Sequence, residues 1–398
     1  MAGTHNMVAE QPSLVWSKAF YFCFYAAGAA LMPFLVLYYE SLGLSGRQIG
    51  FLAGISPLVS LVGAPLWGGL ADITRRHKLI WTIAIAGAIS MALVLSQVSV
   101  FLLLIPVVIV YALFAAPIIP LADNAVMALL GDRKNQYGRQ RIWGAVGWGV
   151  AAPFIGQLIE SQGLQWAFWG YAGIMFVGLL VVQQIPFHPV SVQVPFWRGA
   201  RTLLSNRAWL VFLLLVFFGG AGQAGIHNYL FLYMNELGAS KMLMGLSLSI
   251  ATISELPMFY YSDRLLARWS AKGLFIFATI MYVVRALALS YIHLPWMILI
   301  TQLLHGLTFS AMWVAGVSYA DEIAPPGLGA TAQGLFSGIF MGISAATGAV
   351  LGGVLYQDFG GAIMYRTMAI AVAVSILIFL AAQWKLNQGR LPVSRRNL

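Results

Sequence analysis

Twelve apolar runs, each long enough to cross a bilayer, follow one another along this chain with only short polar turns between them. They fall near 16–39, 48–70, 79–97, 100–128, 141–160 and 165–185, then near 208–234, 242–262, 272–291, 295–319, 329–355 and 361–384. A hydrocarbon core about 30 Å thick takes about 20 helical residues to span. In that solvent every backbone polar group needs an internal partner, which leaves helices or closed barrels. Barrel strands alternate apolar and polar residues, and these runs do not. The chain is therefore read as an all-α membrane protein of twelve transmembrane helices. Its 60% hydrophobic and 9% charged residues agree, since a soluble surface takes about 25% charge.

The formal net charge of +10 points to membrane orientation rather than to nucleic acid, because the basic residues sit in the turns. Eighteen of the 22 Lys and Arg lie at the N-terminus, the even-numbered turns or the C-terminus. Arg47, Lys241 and Arg366 mark the opposite face, and Arg285 lies within a span. Both termini and the central loop are expected in the cytoplasm, in a cell inner membrane. The first run is read as a retained helix, since no cationic segment and cleavage site flank it. The single cysteine, Cys23, excludes an intramolecular disulfide.

The halves repeat. Residues 34–50 (FLVLYYESLGLSGRQIG) align with 229–245 (YLFLYMNELGASKMLMG) at an offset of 195, with Leu35, Leu37, Tyr38, Leu42, Gly43, Ser45 and Gly50 identical. Asp72 in GGLADITRRHK has its counterpart at Asp263 in YYSDRLLARWSAK. This gives two six-helix halves related by pseudo-two-fold symmetry: an N-terminal bundle 1–187, a cytoplasmic linker 188–207 and a C-terminal bundle 208–398. A parallel repeat of six spans marks an alternating-access transporter with its site between the halves.

On these residues the chain resembles the major facilitator superfamily over nearly its whole length. The stretch 68–78 is similar to that superfamily's G-x-L-A-D-x-x-x-R-[KR] signature, which implies conformational gating by Asp72 and Arg76 and, in the second half, by Asp263 and Arg264. Residues 137–148 (YGRQRIWGAVGW), 302–311 (QLLHGLTFSA) and 324–334 (APPGLGATAQG) resemble the proton-symporter group of lactose permease, nucleoside permeases and phenylpropionate permease. That resemblance implies a carboxylate, an Arg and an aromatic at Asp123, Arg141 and Trp148, and a carboxylate, an Arg and a His at Glu255, Arg285 and His305. The pattern departs at Thr308, where the permease has a carboxylate, and at Gln223 and Gln302, where it has an Asp–Lys pair. Losing both partners is consistent, because either buried charge alone would be costly.

Glu255 is the strongest candidate for proton coupling. It lies about 20 Å from the outer end of its span, where a carboxyl must be paired, hydrated or protonated. Arg285 needs a counter-ion in its span, and Glu255 on a neighbouring helix is the expected one. Asp123 is expected to pair with Arg141, and His305 to shuttle protons or to hydrogen-bond between helices. Substrate contacts are expected from Arg141, Trp148, Gln223, Asn228, Glu255, Phe309 and Trp313, which offer a guanidinium, neutral amides and flat aromatic faces. Glycine rows at Gly144, Gly147, Gly149 and Gly156 and from Gly334 to Gly352 suit closely packed, sliding helices.

No phosphate-binding loop, zinc spacing or nucleophile motif occurs, so no enzyme, cofactor or metal site is expected. The reading is a monomeric proton-coupled symporter that imports a small polar or aromatic solute such as a nucleoside, sugar or aromatic acid. Its partners are that solute, protons and the lipid bilayer, with no nucleic acid. The rival is a proton-coupled antiporter exporting drugs or metabolites.

Overall fold

Each apolar run is helical in the computed structural model, which describes residues 12–186 and 196–388. The first six spans are α1 (Pro12–Ser41), α2 (Gly46–Thr74), α3 (His77–Leu95), the broken pair α4 (Phe101–Ala115) and α5 (Ile118–Leu130), α6 (Tyr137–Gln162) and α7 (Gln165–Gln184). A short amphipathic α8 (Phe196–Leu204) precedes α9 (Arg207–Glu236), α10 (Lys241–Tyr260) and α11 (Ser262–Ser290), which are spans 7 to 9. Span 10 divides into α12 (Met297–Gln302) and α13 (Ala311–Glu322), joined by a π turn. Spans 11 and 12 are α14 (Gly329–Ser337) and α15 (Ser344–Gln388), the latter turning at Gly360 with φ 79°. No strand occurs among the described residues.

Among the described residues, eleven helical stretches are long and apolar enough to cross a membrane, and the last, Gly329–Lys385, holds two of the twelve expected spans across the Gly360 turn. Leu102 and Phe154 are each 72% exposed and Leu377 65%, a surface that only lipid can cover. The expected linker at 188–207 lies outside the described residues over 188–195, as do the C-terminal Arg390, Arg395 and Arg396. Residues 196–204 of the linker form α8, where Ala200 and Leu203 are buried.

Helix contacts divide the chain into a first unit, Met1–Leu35 with Val59–Val192, and a second, Val36–Leu58 with Gln193–Leu398. Spans 1 and 7 are the inner helices, with 72% and 67% of their membrane segments buried against 33% for α2, α6 and α10.

The sequence repeat has a local physical basis. Gly43 and Gly238, 195 residues apart, both take positive φ, 76° and 79°. Their N–H groups donate to the carbonyls of Glu40 and Asn235, and the next residues reach back to Tyr39 and Met234. These are the left-handed C-caps that glycine closes without steric cost. Ser45 and Ser240 then cap the following helices, each accepting a backbone N–H three residues on, from Gln48 and Leu243.

Residues 36–58 join the second unit through close packing of α2 on the start of α15. A Cβ at Gly50 would stand 2.6 Å from the Ala349 carbonyl oxygen and 2.8 Å from the Tyr229 hydroxyl. Arg47 adds an ion pair to Asp358 at 2.8 Å, and its N–H donates to Gln357 at 3.0 Å. Gly50→Leu is therefore expected to lower stability by about 1–3 kcal/mol, the usual cost of overpacking. Thermal unfolding of the purified protein reads this, and an unchanged melting curve would show that the contact has slack.

Candidate functional site

The second unit gathers its ionisable residues at a fault in span 10. The helix is regular to Gln302 and turns tightly through Leu303 and Leu304. It then runs as a π turn over Gly306–Ser310 before α13 resumes. That insertion places His305, Thr308 and Gln302 around one guanidinium. Arg285 Nη1 donates to His305 Nδ1 at 2.9 Å and to Thr308 Oγ1 at 3.2 Å, while Nη2 donates to Gln302 Oε1. Thr308 and Gln302, which depart from the lactose-permease pattern, thus serve as neutral acceptors for Arg285. Arg285 stands five residues from the Ser290 end of α11, about 8 Å along the axis.

Glu255 does not pair directly with Arg285, contrary to the sequence expectation. Its Oε1 lies 3.0 Å from His305 Nε2, and the imidazole bridges the two charges. The reason is chain geometry: His305 projects from the faulted turn of span 10, which packs against α10 at Glu255. The contacts also fix the tautomer. A guanidinium is always a donor, so Nδ1 must accept and the ring proton sits on Nε2, directed at Glu255. A second proton on His305 would expel Arg285, whereas Glu255 can gain or lose one on its other oxygen with every contact intact. Glu255 and His305 keep 17% and 18% of their side chains accessible, while Arg285 is 1% exposed.

Around this group, Phe309 stacks on His305 with ring centres 5.5 Å apart and planes 14° from parallel. Trp313 packs on Phe336 and Phe340 at 5.6 and 6.0 Å. On α9, Gln223 is buried with its Oε1 lacking a protein partner, and Asn228 donates to the Ala224 carbonyl of its own helix.

In the first unit Asp123 and Arg141 form no direct ion pair, which corrects the sequence expectation. Tyr21 of α1 stands between them. Its hydroxyl donates to Asp123 Oδ1 at 2.6 Å, and the Arg141 guanidinium lies 5.4 Å from its ring centre and 4.8 Å from that of Tyr25. The cation is held on two π faces, and its buried Nη1 has no protein partner. Trp148, one face of α6 further on, approaches Gly28. Nothing in the sequence marked Tyr21, one of 16 tyrosines. Tyr21→Phe is expected to cost about 1–3 kcal/mol by removing the donor to a carboxylate. The unfolding equilibrium in mixed detergent micelles measures it, and a loss below a few tenths would mean that water replaces the hydroxyl.

The loop residues are simpler. Asp72 is paired with His77 Nε2 at 2.8 Å, beside a hollow that Pro117, Pro120 and Asn124 help to line. Arg76 is exposed at the start of α3, as is Asp263 in the first turn of α11, and Arg264 lies over the Tyr261 ring at 5.5 Å.

Comparison with known proteins brings in a family and several relatives. The model of the MFS_1 like family matches residues 14–367. The maltose permease of Geobacillus stearothermophilus is 25% identical over 363 residues, covering 91% of this chain and 92% of that one. The probable 3-phenylpropionic acid transporter of Escherichia coli (strain K12) is 25% identical over 373 residues, covering 91% and 96%. Among solved structures, nucleoside transporter NupG superposes with a TM-score of 0.84 at 17% identity, over 94% of this chain and 99% of that one, a likeness of fold.

Proposed function

We propose that this chain, which belongs to the MFS_1 like family and is a multi-pass membrane transporter, imports a small polar or aromatic solute together with protons. A nucleoside, a sugar or an aromatic acid is the class intended, carried by alternating access. The observation that carries the reading is the Glu255–His305–Arg285 relay, in which one carboxyl alone can change its protonation without breaking a contact.

With Glu255 ionised the cluster is neutral overall, and with Glu255 protonated it carries a net positive charge. In a low-dielectric setting that difference is large enough to bias one conformation over another. Protonation also turns the free carboxyl oxygen into an O–H donor for a solute hydroxyl or carbonyl. Binding of solute and proton then favour each other, and by linkage the coupling is reciprocal. In the first unit, Arg141, whose buried Nη1 has no protein partner, is proposed as a solute-binding residue. The maltose permease and the probable 3-phenylpropionic acid transporter among its relatives support a sugar or an aromatic acid, and a nucleoside is included for the fold shared with nucleoside transporter NupG. The distribution of Lys and Arg supports an inner-membrane protein with both termini cytoplasmic, and the transport unit is proposed to be the monomer.

Purified protein in proteoliposomes tests this with radiolabelled maltose, uridine and 3-phenylpropionate. An inward proton gradient is expected to drive accumulation of at least one, and a protonophore to collapse it. Gradient-driven extrusion of preloaded solute would instead establish the exporter, and uptake indifferent to the gradient would remove proton coupling.

A further inference from the structure

The residue before Glu255 is built into the fault in span 10. In a regular helix the Gly306 N–H would donate to the Gln302 carbonyl. Here it donates to Ser254 Oγ of α10 at 2.9 Å, and the same oxygen lies 3.2 Å from the Gln302 carbonyl oxygen. A hydroxyl from the neighbouring helix thus occupies the place of one helical hydrogen bond. Its single proton has two acceptors in reach, the carbonyls of Gln302 and, at 2.6 Å, of Ala251. Position 306 admits no side chain, because a Cβ there would run into the Ser254 backbone carbonyl and stand 3.2 Å from Glu255 Cα.

We propose that Ser254 is a positioning residue, whose hydroxyl holds span 10 open so that His305 can face Arg285 and Glu255 at once. Two consecutive residues of α10 then grip two consecutive residues of span 10: Ser254 takes the Gly306 backbone, and Glu255 takes the His305 ring. Without the hydroxyl, the Gly306 N–H and Gln302 carbonyl are free to bond each other, which restores the missing helical hydrogen bond just ahead of the π turn. That bond draws in the turn that contains His305, which shifts the ring from the place it holds while the hydroxyl keeps the two groups apart. His305 would then keep one of its two partners and lose the other. The proposal rests, for its bearing on transport, on Glu255 being the proton carrier. The titratable and charged groups facing the joint are Glu255 on α10, His305 on span 10, Arg285 and Tyr282 on α11, His227 on α9 and Tyr365 on α15.

The test uses full-length protein in lipid nanodiscs with nitrogen-15-labelled histidine, the His305 signal being identified by its loss in His305→Gln. The unsubstituted protein is expected to show the Nε2–H tautomer. Ser254→Ala should lower the ratio of that tautomer to the other by about tenfold, the worth of one buried hydrogen bond, and Ser254→Thr, which keeps the hydroxyl, should restore it. Should Ser254→Ala not fold, Ser254→Cys asks the same question with a weak donor and acceptor. An unmoved tautomer ratio in the variant that folds overturns the proposal. The carboxyl stretch of Glu255 in infrared difference spectra, identified by its absence in Glu255→Gln, is followed between acid and alkaline buffer in parallel. If that band fails to titrate while Ser254→Ala still shifts the tautomer, the carrier reading falls and the positioning role stands. If the band titrates and the tautomer does not move, the positioning role falls alone.

Discussion

Glu255→Gln is expected to abolish solute accumulation against a gradient while leaving exchange of solute across the membrane intact. A carboxamide copies the protonated acid closely: its oxygen accepts from His305 Nε2–H, and its NH2 stands where the acid O–H would donate. The relay around Arg285 is therefore kept, and the cluster is fixed in the charge state it has when protonated. What is lost is the return step, because the empty carrier no longer releases a proton to reset. Gradient-driven uptake in proteoliposomes should fall at least about a hundredfold, corresponding to more than about 2.7 kcal/mol of lost coupling, with counterflow within about twofold of the unsubstituted protein. Normal accumulation by the Gln variant would move the proton site elsewhere, His305 being the next group to test.

The scaffold was legible because membrane folding is governed by length and apolarity, which a linear sequence displays directly. The turn at Gly43 could be matched to the turn at Gly238 since both need a residue tolerant of positive φ, and the serines at 45 and 240 announce the next helix start. The gathering of Glu255, Arg285 and His305 was also readable, because ionisable residues in apolar runs have few alternatives to one another's company. The wiring between them was not. A π insertion leaves composition and hydropathy unchanged, so Gly306 reads as one more small residue, and its meaning depends on Ser254, 52 positions away. Tyr21 joins Asp123 across 102 positions, and its hydroxyl is invisible against the aromatic background. Arg47 read as a boundary charge, and its pairing with Asp358 spans 311 positions. In each case the pattern named the residue types, and packing between distant helices chose the partners.

Arg285 is the residue whose loss should be felt most in stability. Arg285→Met removes the donor to three acceptors, His305 Nδ1, Thr308 Oγ1 and Gln302 Oε1, and leaves the Glu255 carboxylate without a cation one imidazole away. Removing one member of a buried charge pair costs about 3–5 kcal/mol, most of it from the partner left behind. The double variant Arg285→Met with Glu255→Gln removes that stranded charge, so it is expected to regain a substantial part of the stability while remaining unable to transport. Arg285→Lys keeps the charge, but a compact ammonium on a flexible stem does not match the fork that reaches three acceptors on one faulted turn. It should fall between the single Met variant and the unsubstituted protein. Unfolding equilibria in mixed detergent micelles order the four proteins. If the double variant proves no more stable than Arg285→Met, the guanidinium serves the fold through its neutral acceptors, and the charge on Glu255 is balanced by something other than Arg285.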